Sequence, residues 1–321
     1  MITTDNIKAQ LKYTLSKTDF PHLGFKYEGK VRDNYTKGDR RLLIVTDRLS
    51  AFDRVITTIP FKGQVLNQIT QFWFDQTKDI IGNHAIEFPD PNAVLAHQCK
   101  PMMVEMVVRG YITGVTSTSA WYHYEKGVRN FCGNKLPEGL KKNQKLPKPI
   151  ITPSTKAEHG GHDESVSGED ILKRGILTKE EWDFLSKAVL ALYKRGVEIC
   201  AKQGIILVDT KYELGIAPGG KIILIDEIHT PDSSRFWFAN EYEKRLAAGE
   251  EQKKIDKEYL REWLADHGFR GEGEIPAIPD DVRAETARRY IEAYELITGR
   301  PFHAEVGPVE ERLKKNLAKY E

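Results

Sequence analysis

Apolar and polar positions change period several times along the chain, and the changes mark out its elements. Residues 5–17 place Ile7, Leu11 and Leu15 at helical spacing, which predicts a short amphipathic helix. Phe25 to Tyr35 alternates and breaks at Gly29, so it reads as strand, turn and strand, feeding an apolar strand from Arg41 to Thr46. Helical period returns over residues 64–78, with Leu66, Ile69, Phe72 and Trp73 inward. Pro101 to Arg109 is a strand with Glu105 in its middle, a costly place for a carboxylate without a partner. Thr178 and Glu181 form a capping box, and Trp182, Leu185, Val189, Leu192 and Ile199 repeat along one face until Gly204 ends the helix. Two more helices are expected, Asp256 to His267 and Val282 to Thr298, on either side of a Gly/Pro-rich linker. Residues 133–168 lack apolar periodicity and are rich in Pro, Lys, Gly and Ser, which predicts a long, mobile substrate loop.

The richest stretch runs from Gly204 to Trp237. It predicts two strands, Ile205 to Thr210 and Lys221 to Ile228, around a turn at Ala217-Pro218-Gly219-Gly220. Asp209, Lys211 and Glu213 alternate, so an extended backbone puts all three on one face. Asp226, Glu227 and Arg235 add charge where a core hairpin would carry turn residues. One exposed pair would read as a solvated face of little energy. Six charges at the ends of two apolar strands favour a site. Carboxylates there suit Mg²⁺, the lysine suits a phosphate, and Arg235 suits bidentate grip of an anion.

Charge and cysteine count narrow the class. With 48 basic and 47 acidic residues the net charge is +1, so no overall field recommends nucleic acid or membrane as a partner. Three widely spaced cysteines, Cys99, Cys132 and Cys200, argue against a disulfide framework and fit a reducing compartment. No apolar run approaches the ~18 residues of a spanning helix, and the first residues lack signal-peptide character. The expectation is a soluble, cytoplasmic, two-lobed protein of 321 residues, with oligomeric state undecided.

Two tempting motifs fail. Gly24-x-x-x-x-Gly29-Lys30 ends in Val31 where a Walker A loop needs Ser or Thr, and no strand-loop-helix surrounds it. The segment alone serves equally as a lid carrying Lys30 and Arg32 over phosphates or as a tight hairpin with exposed basic residues. His159-Gly-Gly-His162-Asp163-Glu164 has no helix to align metal ligands, so a zinc site is not expected. Asp47 to Asp53 reads as a polar loop after a buried strand, a common place for ligand contacts.

Six ordered segments resemble the phosphoribosylaminoimidazole-succinocarboxamide synthase (SAICAR synthetase) family. They are Gly29-Lys-Val-Arg-Asp33, Thr46-Asp-Arg-Leu-Ser-Ala-Phe-Asp53, Val104 to Gly114, Thr152-Pro-Ser-Thr-Lys156, Asp209-Thr-Lys-Tyr-Glu-Leu-Gly215, and Asp226-Glu227 leading to Thr230-Pro-Asp-Ser-Ser-Arg-Phe-Trp237. The resemblance implies an ATP-dependent ligase that joins 5-amino-1-(5-phosphoribosyl)imidazole-4-carboxylate (CAIR) to L-aspartate through an acyl phosphate. It implies an α+β fold of two lobes, a β-rich N-terminal lobe and an ATP-grasp-like C-terminal lobe, with nucleotide between them. The corresponding division is 1–105, 106–250, and C-terminal helices over 251–321.

By the same resemblance, Gly29, Lys30, Arg32, Glu105, Val107, Lys211 and Glu213 would bind ATP, with Glu105 to Val107 as the adenine-side hinge. Asp226, with Glu213, would hold Mg²⁺. Ser50, Asp53, Arg109, Asp209, Asp232, Ser234 and Arg235 would face the imidazole substrate, and Lys211, Asp209 and Arg109 would carry the chemistry. Two departures stand out. Val115 replaces a family serine, leaving Thr116, Ser117 or Ser119 to supply a hydroxyl, and Leu214 replaces a phenylalanine. A phosphotransferase and a non-catalytic nucleotide binder are the competing readings.

Overall fold

Two antiparallel sheets, each backed by helices, meet along a cleft in the computed structural model, which describes residues 2–52, 54–156, 164–255 and 258–320. The N-terminal sheet is built from β1 (Phe25–Glu28), β2 (Arg32–Lys37), β3 (Arg40–Val45), β6 (Ala85–Asp90) and β7 (Ala93–His97), in the order β1-β2-β3-β7-β6. A separate hairpin pairs β4 (Arg48–Ala51) with β5 (Arg54–Thr58). Two helices belong to this part, α1 (Thr4–Gln10), continued by a 3-10 turn at Leu11–Tyr13, and α2 (Lys62–Thr77). The helix expected over 5–17 is therefore shorter.

The second sheet is organised on β8 (Lys100–Tyr111). After α3 (Ala120–Glu125), a small hairpin joins β9 (Asn130–Phe131) and β10 (Asn134–Lys135). Then come β11 (Lys145–Ile151), β12 (Ser154–Thr155) and β13 (Glu164–Ser165). The stretch expected as one long loop thus contributes edge strands, with β11 and β12 both paired to β8. Pro147 and Pro149 cannot donate to a ladder, and they fall in the break between the Lys145 and Ile150 pairings. His159 to Asp163 lie outside the described residues, while Glu164 pairs with Arg174.

Helix α4 (Gly168–Lys173) and the long α5 (Lys179–Lys202) follow, each with a reciprocal capping box, Ser167 with Asp170 and Thr178 with Glu181. Leu185, Val189, Leu192 and Cys200 bury the inner stripe of α5 against β14 (Ile205–Ile216), the central strand of this sheet. β14 runs further than expected, turns at 217–220, and pairs with a shorter β15 (Ile222–Ile225) and with β16 (Ser234–Phe238).

The remaining helices are α6 (Ala239–Ala248), α7 (Glu258–Asp266), α8 (Asp280–Thr298) and α9 (Val309–Leu317). The start expected for α7 at Asp256 lies outside the described residues. Residues 280–317 return to the N-terminal part. α8 packs on α2, and Val309, Leu313 and Leu317 of α9 join Tyr35, Leu42, Ile44 and Leu95 in a core on the outer face of the first sheet. The chain crosses between the sheets at Gln98–Cys99, ahead of the boundary expected at residue 105, because the strand carrying Glu105 runs unbroken from Lys100.

Candidate active site

Antiparallel register explains which charges meet. β14 presents Asp209, Lys211 and Glu213 on one face, and β8 lays Arg109 opposite Asp209, Val107 opposite Lys211, and Glu105 opposite Glu213. On the other side β16 lays Arg235 opposite Asp209. Arg109 and Arg235 therefore flank one carboxylate across three strands, with Arg109 Nη1 at 3.2 Å from Asp209 Oδ2 and Arg235 Nε at 3.2 Å from Asp209 Oδ1. Arg109 also donates to Thr152 Oγ1 (2.8 Å) and to the Thr118 carbonyl (3.0 Å). Burial lowers its pKa from the arginine value, with Asp209 opposing that shift. Gly114, at φ 91°, belongs to this arrangement: a Cβ there would stand 2.7 Å from Arg235 Nη1.

One step along, Lys211 Nζ donates to Glu105 Oε1 and to Glu213 Oε1, each at 2.7 Å, and Lys156 pairs with the other oxygen of Glu213. Burial works against the Lys211 ammonium, but Glu213 and Glu105 outweigh it and hold its pKa above the lysine range. Burial also works to raise Glu213, but Lys211 and Lys156 prevail and hold that carboxyl at about 2. For Glu105, burial wins over Lys211 and lifts the carboxyl. The costly carboxylate of β8 thus has the partner that its position demanded.

Two cavities take up these groups, and the Lys211–Glu213 hydrogen bond joins the wall of one to the wall of the other. The larger, about 380 Å³, is lined by Val107, Arg109, Asp209, Lys211, Asp232, Ser234 and Arg235. The smaller, about 250 Å³, takes its walls from both sheets: Gly29, Lys30 and Arg32 from the first hairpin, and Lys156, Glu213 and Asp226 from the second sheet. Asp226 follows Ile225, the pairing partner of Glu213, so register brings the two carboxylates to one cavity. Arg32 forms an ion pair with Asp226 and donates from Nη2 to Glu227 Oε2 at 2.6 Å.

Mg²⁺ fits this donor set. No three His, Cys, Asp or Glu side chains among the described residues cluster as a complete metal cage. Mg²⁺ needs no such cage, since it takes one or two carboxylates and fills its shell with water and phosphate oxygens. Asp226 and Glu213 offer carboxylate oxygens on the same cavity wall.

Several expected residues sit elsewhere. Glu105 lines neither cavity and instead braces Lys211, and Val107 lines the larger cavity rather than the smaller. Ser50 lies on β4 opposite Val55 and lines neither cavity. Asp53 lies outside the described residues. The loop expected at Asp47 to Asp53 is partly a strand, and its first charges are structural: Asp47 accepts from the Leu15 and Gly63 N–H groups, and Arg48 pairs with Asp33. Of the three candidate hydroxyls near Val115, Thr116 and Ser119 line the larger cavity, and Ser117 does not.

Other residues were not anticipated. Lys142, Lys254 and Arg261 line the larger cavity, and Arg41, His84, His97 and Cys99 line the smaller one. Lys62 is fully buried at the start of α2 and pairs with Asp232 Oδ2, while Tyr290 of α8 donates to Asp232 Oδ1 at 2.6 Å. Alternation and charge clustering point to none of these. They are scattered over loops, strands and helices, and no local pattern groups them.

Comparison with known proteins bears on this geometry. The family model described as SAICAR synthetase matches residues 25–277. A phosphoribosylaminoimidazole-succinocarboxamide synthase of Legionella pneumophila (strain Paris) is 48% identical over 313 residues, which is 97% of this chain and 99% of that protein. One from Bacteroides fragilis is 50% identical over 310 residues, 94% of this chain and 97% of that protein. Among solved structures, the SAICAR synthase of Saccharomyces cerevisiae complexed with SAICAR superposes with a TM-score of 0.80 at 33% identity, covering 91% of this chain and all of that one.

Proposed function

The chain belongs to the SAICAR synthetase family, and on that premise we propose how its residues join CAIR to L-aspartate at the expense of ATP. One observation carries the reading. Lys211 of the larger cavity and Glu213 of the smaller are two positions apart on one face of β14, so a carboxylate acceptor in the first lies beside a phosphoryl donor in the second.

ATP occupies the smaller cavity, with Lys30 and Arg32 over its phosphates. CAIR occupies the larger one, its phosphate and carboxylate met by Arg235, Arg109, Lys211 and the hydroxyls of Ser234, Thr116 and Ser119. The CAIR carboxylate attacks the γ-phosphoryl group, the bond to the β-phosphate oxygen breaks, and ADP and an acyl phosphate result. The aspartate amine then attacks the acyl carbon, inorganic phosphate leaves, and the nitrogen loses a proton to give the succinocarboxamide.

Two like-charged reactants must approach, so positioning and neutralisation supply most of the rate. Lys211 stays charged between Glu105 and Glu213 and holds a phosphate oxygen of the group in flight. Asp209 fixes both arginines. Asp226, with Glu213, would hold Mg²⁺, which neutralises phosphate charge when bound. The first hairpin and the segment from Thr152 to Lys156 cover the site and keep water from the acyl phosphate. The odd cysteine count supports a reducing, cytoplasmic setting.

The test is turnover with Mg-ATP and CAIR, with and without L-aspartate, following ADP and the imidazole product together. Succinocarboxamide and ADP that form only with aspartate present support the ligase. ADP formed at an equal rate without aspartate favours a phosphotransferase. Nucleotide binding without turnover would leave only a binding module.

A further inference from the structure

Within the smaller cavity, Arg41 is a cation without a carboxylate partner among the described residues. It lies on β3, opposite Thr36 of β2 and Ala96 of β7, and its side chain joins the cavity wall beside His84, His97, Cys99 and Pro101. Its Nε is buried and makes no hydrogen bond among the described residues. Burial lowers its pKa, so desolvation is not offset by a carboxylate. The acidic residues on this wall are Glu213 and Asp226, and each is paired with another cation, Lys156 and Lys211 for the first and Arg32 for the second. His84, a buried base on the same wall, is held neutral with a pKa of about 3 by burial and then by the neighbouring arginines.

The register gives this cation an address. On the cleft face of the first sheet the rungs run Arg32–Val45, Asn34–Leu43, Thr36–Arg41. Arg32 marks the carboxylate end, where it meets Asp226 and Glu227. Four residues of strand separate its rung from that of Arg41, roughly 13 Å at ~3.3 Å per residue. That span is comparable to the distance from the terminal phosphates to the base in an extended nucleoside triphosphate. The intervening positions, Leu43 and Asn34, are uncharged, as a ribose would require.

We propose that Arg41 is the base-recognition residue of the nucleotide cavity, gripping the purine ring of ATP at the end opposite Arg32. A guanidinium is suited to this, because it donates to ring nitrogens, lies against an aromatic face, and is more weakly hydrated than an ammonium. The inference rests on the reading of this cavity as the nucleotide site. Arg41 acts on binding and specificity, not on the phosphoryl in transit.

The test compares Arg41→Met and Arg41→Lys with the unsubstituted full-length protein, by calorimetric titration with ADP and with inorganic tripolyphosphate, and by steady-state kinetics. Arg41→Met weakens ADP binding about tenfold, which converts to ~1.4 kcal/mol, and raises the KM for ATP in step. Arg41→Lys recovers part of the loss. Tripolyphosphate affinity, the KM values for CAIR and aspartate, and kcat at saturating ATP stay within about twofold. An unchanged ADP affinity in both variants, in a protein that still binds ADP, overturns the assignment of Arg41 alone. An equal loss for ADP and tripolyphosphate overturns it too, because Arg41 would then serve the phosphates. No ADP binding by the unsubstituted protein overturns the nucleotide reading of the cavity, and this assignment with it.

Discussion

Lys62 Nζ and Asp232 Oδ2 stand 2.9 Å apart, joining the buried start of α2 to the segment before β16. The second oxygen of the same carboxylate accepts from Tyr290 of α8. A residue expected to face substrate is therefore anchored by two distant elements, one of them among the C-terminal helices.

Unequal costs follow from that arrangement. Asp232→Asn leaves a fully buried ammonium without its charge partner and is expected to destabilise by ~3–5 kcal/mol. Tyr290→Phe removes one neutral donor and is expected to cost ~1–2 kcal/mol. Urea denaturation of both variants at pH 7.5 checks the order. Equal losses would mean that the ion pair contributes no more than the hydroxyl.

Lys211 supports a second prediction. Its removal in Lys211→Met sets Glu105 and Glu213 against each other on one rung, so activity is expected to fall by at least ~100-fold. Charge in the intact cluster is robust. Glu213, at about 2, contributes stability present above its unfolded value of ~4.5 and lost as pH falls towards 2. Lys211, shifted upward, contributes stability present below its unfolded value and lost only as pH rises through its higher folded value. A kcat profile over pH 6–9 is thus expected to show no inflection from this pair. Profiles of wild type and Glu105→Gln would reveal one if either group titrated in that window.

How much of this was legible depended on whether the signal was local. The shared face of Asp209, Lys211 and Glu213 follows from period two alone, and the Thr178–Glu181 capping box is written in four consecutive residues. Register is not local. Nothing in Pro101 to Arg109 says that Glu105 meets Lys211, so its partner could be required but not named. Buried charge misled in the other direction. Asp47 and Arg48 look like exposed loop residues, yet they are satisfied by Leu15, Gly63 and Asp33 from other segments. In β11, prolines hid a strand whose pairings skip them. Lys62 lies just before one helical pattern and Tyr290 within another, where a buried lysine and an inward tyrosine carry no mark of the site that they support.

Two buried histidines predict acid sensitivity. His229 is fully buried, with Nε2 2.6 Å from the Tyr212 hydroxyl, and burial lowers its pKa to about 3. His84 is lowered to about 3 in the same way. Both are neutral in the fold and protonate near 6.5 when unfolded, so the unfolded chain binds more protons as pH falls from ~6.5 towards 3. Stability therefore falls with pH, by ~2 kcal/mol for each histidine at pH 5. Asp47 opposes this, since burial raises its folded pKa to about 6, but by only ~1 kcal/mol over the same interval. Urea midpoints at pH 7.5 and 5.0 test the net loss, and His229→Gln is expected to remove about two-thirds of it. A pH-independent midpoint would show that one or both rings are solvated.

Competition for Asp226 yields the last prediction. Arg32 bridges Asp226 and Glu227, so the carboxylate expected to take a divalent cation is already matched by a guanidinium. Phosphates offer Arg32 a better partner, since a guanidinium matches them in charge and in bidentate geometry. Nucleotide arrival should therefore draw Arg32 off Asp226 and open its oxygens to a cation, coupling metal and nucleotide binding. Arg32→Gln breaks that exchange at one point: Mn²⁺ binding without nucleotide is expected to tighten, while the KM for ATP rises. Asp226→Asn removes the other partner, weakening Mn²⁺ in the presence of ADP and lowering turnover about 100-fold or more. Chelator treatment of the unsubstituted protein should abolish turnover, and added Mg²⁺ should restore it. Titration of Mn²⁺ by electron paramagnetic resonance, with and without ADP, separates these effects. Identical Mn²⁺ curves for Arg32→Gln, Asp226→Asn and wild type would place the metal on residues other than Asp226, and the Arg32 bridge would then be a structural link between the lobes.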